Sequence, residues 1–213
     1  MKRRQVLKNL GLGAGALVMT PTILSLLQSC KNEPEFIPVF LSKGEGHALR
    51  RVVDLIIPSD ETVPGAVDVG VHSFIDSYYN DVMDEEGQTM VRLGFTVFAD
   101  TFRSKFGKEL EAGKPEEFDQ LLAQYLKSTK EEQKAYGKKM GAFYQAFDND
   151  PTVTPDADAA MFSLLSNLRG MTTWAWKTSE QIGKNVLWYD PIPGQQIACL
   201  PLDEAGNGKV MAL

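Results

Sequence analysis

An all-α fold, a single helical domain of about six helices, is predicted by three features of this 213-residue chain. Apolar residues recur at steps of three and four through most of it, the spacing of one helix face. The periodic segments open on capping residues or proline and end on glycine or proline. No segment alternates apolar and polar residues convincingly; Gln195 to Leu200 is the one short piece that reads as extended. No internal repeat is visible.

The first 29 residues read as a leader. Lys2, Arg3, Arg4 and Lys8 make a cationic start, and the first acidic residue is Glu33. The apolar run from Leu10 to Leu27 is interrupted by Gly11, Gly13, Gly15 and Pro21, which weaken a helix interior. A bilayer-spanning helix wants about 20 steadily apolar residues. A basic region, an apolar region and small residues before a cleavage site instead fit an export signal; an uncleaved membrane anchor is the competing reading. Arg3-Arg4-Gln5-Val6-Leu7-Lys8 resembles the twin-arginine signal, which exports folded proteins. Leu27-Gln28-Ser29-Cys30 resembles a bacterial lipobox, in which the cysteine is lipidated and becomes the first residue. Gln28 stands where a small residue is usual. Gly11 to Gly15 does not make a dinucleotide loop, because no strand precedes it and the glycine spacing is wrong.

Residues 30–40 form a tether, with two prolines and no period, and 41–213 the helical domain. Ser42-Lys-Gly-Glu45 has the form of a capping box. Behind it Leu49, Val52, Val53, Ile56 and Ile57 share a face until Pro58 stops the run. Ser59 to Ala66 is a loop by composition. A second helix starts near Gly70, with Val71, Phe74, Ile75, Tyr78 and Val82 assigned to its apolar side. A third runs from about Glu86 to Phe106 with Met90, Gly94, Val97, Phe98, Thr101 and Phe102 on one face; Phe98, Phe102 and Phe106 are expected in the core. Pro115 starts a fourth, carrying Phe118, Leu121, Leu122 and Tyr125. Ser128 or Thr129 can cap a fifth, with Tyr136, Met140, Phe143 and Phe147 in line. A long sixth helix, from about Asp156 to Gly183, carries Met161, Phe162, Leu165, Leu168, Thr172, Ala175 and Trp176. Trp174 lies two residues from Trp176, so the two cannot share a face. One is expected in the core and the other exposed or covered by the tail.

After Gly183 the period dissolves into a proline-containing segment with Trp188, Tyr189 and Ile192. An apolar tail that cannot fold alone lies along its own domain or along a partner. Trp188, Tyr189 and Cys199 are therefore candidate partner contacts.

Charge narrows the function classes. The net charge is −6, and loss of the leader's four cations takes it to about −10. An acidic surface repels phosphate backbones, which argues against nucleic-acid binding. With Cys30 acylated, Cys199 is the remaining thiol, either buried or paired with another chain. Several acyl chains on Cys30 would hold the body at a membrane, since each buried methylene adds about 0.8 kcal/mol and one chain is marginal.

The search for a reactive centre finds little. His47 and His72 are the two histidines, and neither has a second ligand at metal-binding spacing. No haem-attachment motif, nucleophile elbow, P-loop or zinc-protease motif is present. Asp60 and Glu61 are adjacent loop carboxylates. A stand-alone periplasmic enzyme using Asp60, Glu61 and His72 as acid–base groups is one alternative, and a lipid-anchored carbohydrate-binding module another.

Three stretches then combine. Arg50 to Glu61, which holds Asp-Leu-Ile-Ile-Pro-Ser-Asp-Glu, and Val63-Pro-Gly-Ala-Val-Asp-Val-Gly-Val-His-Ser-Phe-Ile-Asp76 resemble the opening of the gluconate 2-dehydrogenase subunit 3 family. Thr172 through Ser179-Glu180 to Tyr189-Asp-Pro-Ile-Pro-Gly194 resembles its closing segment, and residues 85–150 show compatible helices. The resemblance implies a non-catalytic accessory subunit with no catalytic, cofactor-binding or metal residues of its own. It implies a large partner subunit of the glucose–methanol–choline type that carries FAD and oxidises a sugar or sugar acid. A c-type cytochrome that takes the electrons is a further implied partner. The twin-arginine leader with Arg3 and Arg4 is typical of the family. The lipobox at Cys30 suggests a lipoprotein form held on the periplasmic side of a membrane.

Overall fold

Around one long helix near the C-terminus the rest of the domain is arranged. The computed structural model describes residues 36–189, 194, 199, 201 and 203–211. Arg3, Arg4 and Cys30, most of the tether, and much of the segment from 190 to 202 lie outside these residues. Among the described residues the α-helices are α1 (Lys43–Ile56), α2 (Val71–Asp81), α3 (Glu85–Phe106), α4 (Pro115–Leu126), α5 (Lys130–Phe147), α6 (Ala157–Thr178) and α7 (Glu180–Asn185). Two short 3₁₀ turns cover Leu110–Ala112 and Ala205–Gly208. The all-α class is as the sequence predicts, with six long helices and one short one.

Local chemistry sets the helix ends. Ser42 Oγ accepts from the Glu45 N–H at 3.3 Å while the Glu45 carboxylate accepts from the Ser42 N–H at 2.8 Å, a complete capping box. Asp84 caps α3 and Asp156 caps α6 with the first of these two bonds, accepting from the Gly87 and Ala159 N–H groups. α3 stops at Gly107, whose φ of 70° suits glycine. The sixth helix is shorter than the sequence suggests. Ser179 takes an extended conformation, its hydroxyl donates to the Trp176 carbonyl, and α7 restarts behind it.

α6 touches every other α-helix. Met161, Leu165, Leu168 and Thr172 are fully covered there. α1 supplies Leu49, Val52 and Val53, α3 supplies Phe95, Phe98 and Phe102, and α4 supplies Phe118, Leu121 and Tyr125. Phe102 stacks on Phe118 at 4.9 Å and Phe98 meets the same ring edge-on at 6.1 Å. Aromatic pairs of this kind add about 0.5–1.5 kcal/mol beyond their buried area. Phe106, expected in the core, is only partly buried and packs against Phe102 at 4.8 Å.

α5 is the least embedded long helix. Of its apolar row only Phe143 is buried; Tyr136, Met140 and Phe147 are half-exposed. Its N-terminal cap therefore carries a larger share of its stability. Thr129 Oγ1 accepts from the Glu132 N–H at 3.2 Å, and the Glu132 carboxylate accepts from the Thr129 N–H at 2.8 Å. That N–H and the Thr129 hydroxyl hold the Glu132 carboxyl below its ordinary range. The cap's benefit is thus present above the ordinary carboxylate pKa and fades as pH falls through the lowered value. Thr129→Ala should cost about 1 kcal/mol. The expected readout is faster amide exchange in the first two turns of α5, with exchange in α6 unchanged. Equal protection in wild type and variant would remove the cap from the account.

Candidate docking surface

The second helix carries two apolar stripes, and only one can face the core. Val71, Ile75 and Tyr79 are buried, together with His72 and Asp76. Phe74 and Val82, assigned to the core side from the sequence, lie on the outward side instead, while Tyr78 packs against the core with part of its ring outside. Phe74 is 44% exposed, Val82 65%, and Tyr78 partly buried. Three residues of spacing share a face with four, so both stripes satisfy a helical period. The inward choice fell to the stripe that contains Asp76, whose carboxylate is needed inside.

That carboxylate receives the incoming chain. Asp76 is 1% exposed, and its oxygens accept from the N–H groups of Val39 at 2.6 Å, Phe40 at 3.2 Å and Leu41 at 2.9 Å. Phe40 then packs on Tyr79 at 5.8 Å, and the Arg92 guanidinium lies 4.0 Å over the Phe40 ring. Burial, with the Asp76 charge beside it, pushes the Tyr79 hydroxyl above the ordinary tyrosine range.

Opposite α2, the C-terminal half of α6 splits its tryptophans, as expected of positions about 200° apart. Trp176 turns inward and its indole N–H donates to the Pro64 carbonyl at 2.9 Å, tying α6 to the loop between α1 and α2. Trp174 turns outward, is 43% exposed, and meets Phe74 at 5.5 Å and Tyr78 edge-on at 6.2 Å. Phe74 and Tyr78 are 6.3 Å apart. The three rings form one contiguous aromatic surface across two helices. Sequence reasoning missed it because its parts lie about 100 positions apart; the surplus stripe on an eleven-residue helix was the available signal.

The tail residues are differently placed. Trp188 is half-buried, its N–H donates to the Val210 carbonyl at 2.8 Å, and it forms a parallel bridge with Met211. A side chain on Gly206, which has φ of 56°, would collide with the Trp188 indole. Residues 206–211 thus fold back on Trp188. Tyr189 is 53% exposed, and Cys199 is exposed, which removes the buried alternative for that thiol.

The loop carboxylates serve the loop. Asp60 accepts from the N–H groups of Thr62 and Val63 and from the Thr62 hydroxyl, and these bonds hold its carboxyl below the usual range. Glu61 is exposed, whereas His72 is buried in the first turn of α2. His47 Nε2–H donates to the Gly113 carbonyl at 3.1 Å, and the ring packs on Phe118. Among the described residues no group of three or more His, Cys, Asp and Glu side chains is placed to hold a metal ion. No helix among them is long and apolar enough to cross a membrane. A cavity of about 160 Å³ between α3, α5 and α6, lined by Met83, Met90, Met140, Phe143 and Leu164, is apolar.

Comparison with known proteins gives one family. Residues 43–194 match the family described as "Gluconate 2-dehydrogenase subunit 3". No curated protein and no solved structure matches the chain.

Proposed function

Because this chain belongs to the gluconate 2-dehydrogenase subunit 3 family, we propose that it is the non-catalytic small subunit that exports, docks and stabilises a periplasmic FAD-dependent dehydrogenase. The large subunit, of the glucose–methanol–choline type, holds FAD and oxidises a sugar or sugar acid. A c-type cytochrome takes the electrons. The observation that carries the reading is the family membership itself, which spans the helical body from α1 to the tail and makes the chain one subunit of a larger enzyme.

The leader fits that division of labour. A flavoprotein folds around FAD in the cytoplasm, and only a route for folded cargo can then move it. A large subunit without a signal can cross bound to a small subunit that has Arg3 and Arg4. On the far side, lipid on Cys30 keeps the pair at the membrane. The exposed Tyr189 and Cys199 and the half-buried Trp188 supply contacts at the tail.

The test is to co-express the full chain with a FAD-dependent large subunit from the same organism and to fractionate the cells. With the wild-type leader, the large subunit is expected in the membrane fraction, captured with the small one. With Arg3→Lys and Arg4→Lys together, both should remain in the cytoplasm. Sugar oxidation by the processed small chain alone, or normal export of the large subunit with the double variant, would overturn the reading.

A further inference from the structure

We infer that the outward aromatic face formed by Phe74 and Tyr78 of α2 and Trp174 of α6 is the surface on which the large dehydrogenase subunit docks; this rests on the accessory-subunit reading above. Single exposed apolar residues are ordinary, but contiguous ones mark contact sites. Here two large rings, each more than two-fifths exposed, meet directly, and Tyr78 packs beside both. Trp and Tyr are the residues on which interface energies concentrate, because they bring area at small entropic cost.

Charge limits what can cover this face. The exposed neighbours Ser73, Ser77 and Gly170 carry none, and Asp81 and Lys177 stand only at its ends. The rest of the chain is acidic, with four of its cations confined to the leader. A second copy would bring two like-charged bodies together, and an anionic lipid surface would repel one. A neutral apolar patch on a different protein meets neither cost, and charge depletion at the centre is how such interfaces are composed.

The experiment measures affinity of the full small chain for a purified FAD-dependent large subunit of the same organism. Trp174→Ala is expected to weaken the dissociation constant by roughly 30-fold, the size of an interface hot spot. Ser77→Arg, which adds a charge to the rim and removes no packing, should weaken it comparably, with the melting temperature of the small chain unchanged. Trp188→Ala with Tyr189→Ala serves as the tail comparison. If both α2–α6 variants bind as wild type while the tail pair releases the partner, the accessory reading stands and this surface is wrong. If Ser77→Arg instead breaks a dimer of the chain, or Trp174→Ala removes binding to phosphatidylcholine vesicles with capture intact, the assigned occupant is wrong. If the wild-type chain captures no large subunit, the reading and the surface fall together.

Discussion

Replacement of Asp76 by alanine should lower the stability of the domain by about 3 kcal/mol, because three backbone N–H groups lose their acceptor at once. Val39, Phe40 and Leu41 donate to the Asp76 carboxylate. No helix or sheet partner stands ready to replace it. The strand of chain can escape the penalty by peeling into water, which caps the loss. Peeling removes Phe40 and Leu41, each 6% exposed, from the core. Full exposure of side chains of that size costs about 1.5–3 kcal/mol each. It also separates Phe40 from Arg92 and Tyr79. A loss of this size corresponds to a fall in melting temperature of about 6–12 °C for a domain of this length. Asp76→Asn retains one acceptor oxygen and faces the remaining N–H groups with a donor, so it should fall between wild type and Asp76→Ala. Amide exchange at Val39 to Leu41 should accelerate before that of α6. A melting temperature within a degree of wild type would show that the carboxylate is dispensable.

The same interaction marks where the sequence is readable and where it is not. Ser42 and Glu45 announce their capping box because both partners lie within four residues, and the box is present. The faces of α1 and α4 are equally legible: Leu49, Val52, Val53, Phe118, Leu121, Leu122 and Tyr125 are all buried. Asp76 is read only as part of a family-like stretch, Phe-Ile-Asp. Its acceptor role depends on residues 35 to 37 positions upstream, and no local rule reports that. The error on α2 follows from the same cause. Phe74-Tyr78-Val82 and Val71-Ile75-Tyr79 are both steps of four, and hydrophobicity does not choose between them. The buried demand of Val39 to Leu41 for an acceptor does. α3 repeats the lesson more mildly: Phe98 and Phe102 were legible, whereas Val91 and Phe95 hold the buried places assigned to Met90 and Gly94.

The candidate surface was hidden for a complementary reason. A docking face is a place where the folding pattern has apolar residues to spare, and sparing is visible only once the core is full. Trp174 and Trp176 could be separated by angle alone, but which one faced outward depended on Pro64. The Trp176 indole finds the Pro64 carbonyl, and a buried indole N–H with a partner is cheaper than one without. Trp174 is left beside Phe74 and Tyr78.

The Pro64 carbonyl is held in turn by Gly65, and Gly65→Ala is the second substitution expected to be severe. A methyl group there would lie 2.5 Å from the Ser59 nitrogen, 2.7 Å from the Pro58 carbonyl carbon and 2.8 Å from the Ile57 oxygen. All three atoms are backbone, so no side chain can swing aside. The loop is also closed on itself: the Ala66 N–H donates to the Ile57 carbonyl at 2.8 Å, and the Gly65 N–H to Asp68 at 2.8 Å. Relief requires opening the loop, which draws fully buried Ala66 from the core and the Pro64 carbonyl from Trp176. Overpacking alone costs about 1–3 kcal/mol, and each broken hydrogen bond adds about 1 kcal/mol. The sum should exceed 3 kcal/mol, a drop of at least about 6 °C in melting temperature. Gly70→Ala is the comparison. Gly70 has φ of 75° and open space around it, so alanine there pays only the left-handed backbone cost of about 1–2 kcal/mol. Gly65→Ala should therefore melt well below Gly70→Ala. The reverse order would mean that backbone conformation, and not close approach, is what glycine supplies in this loop.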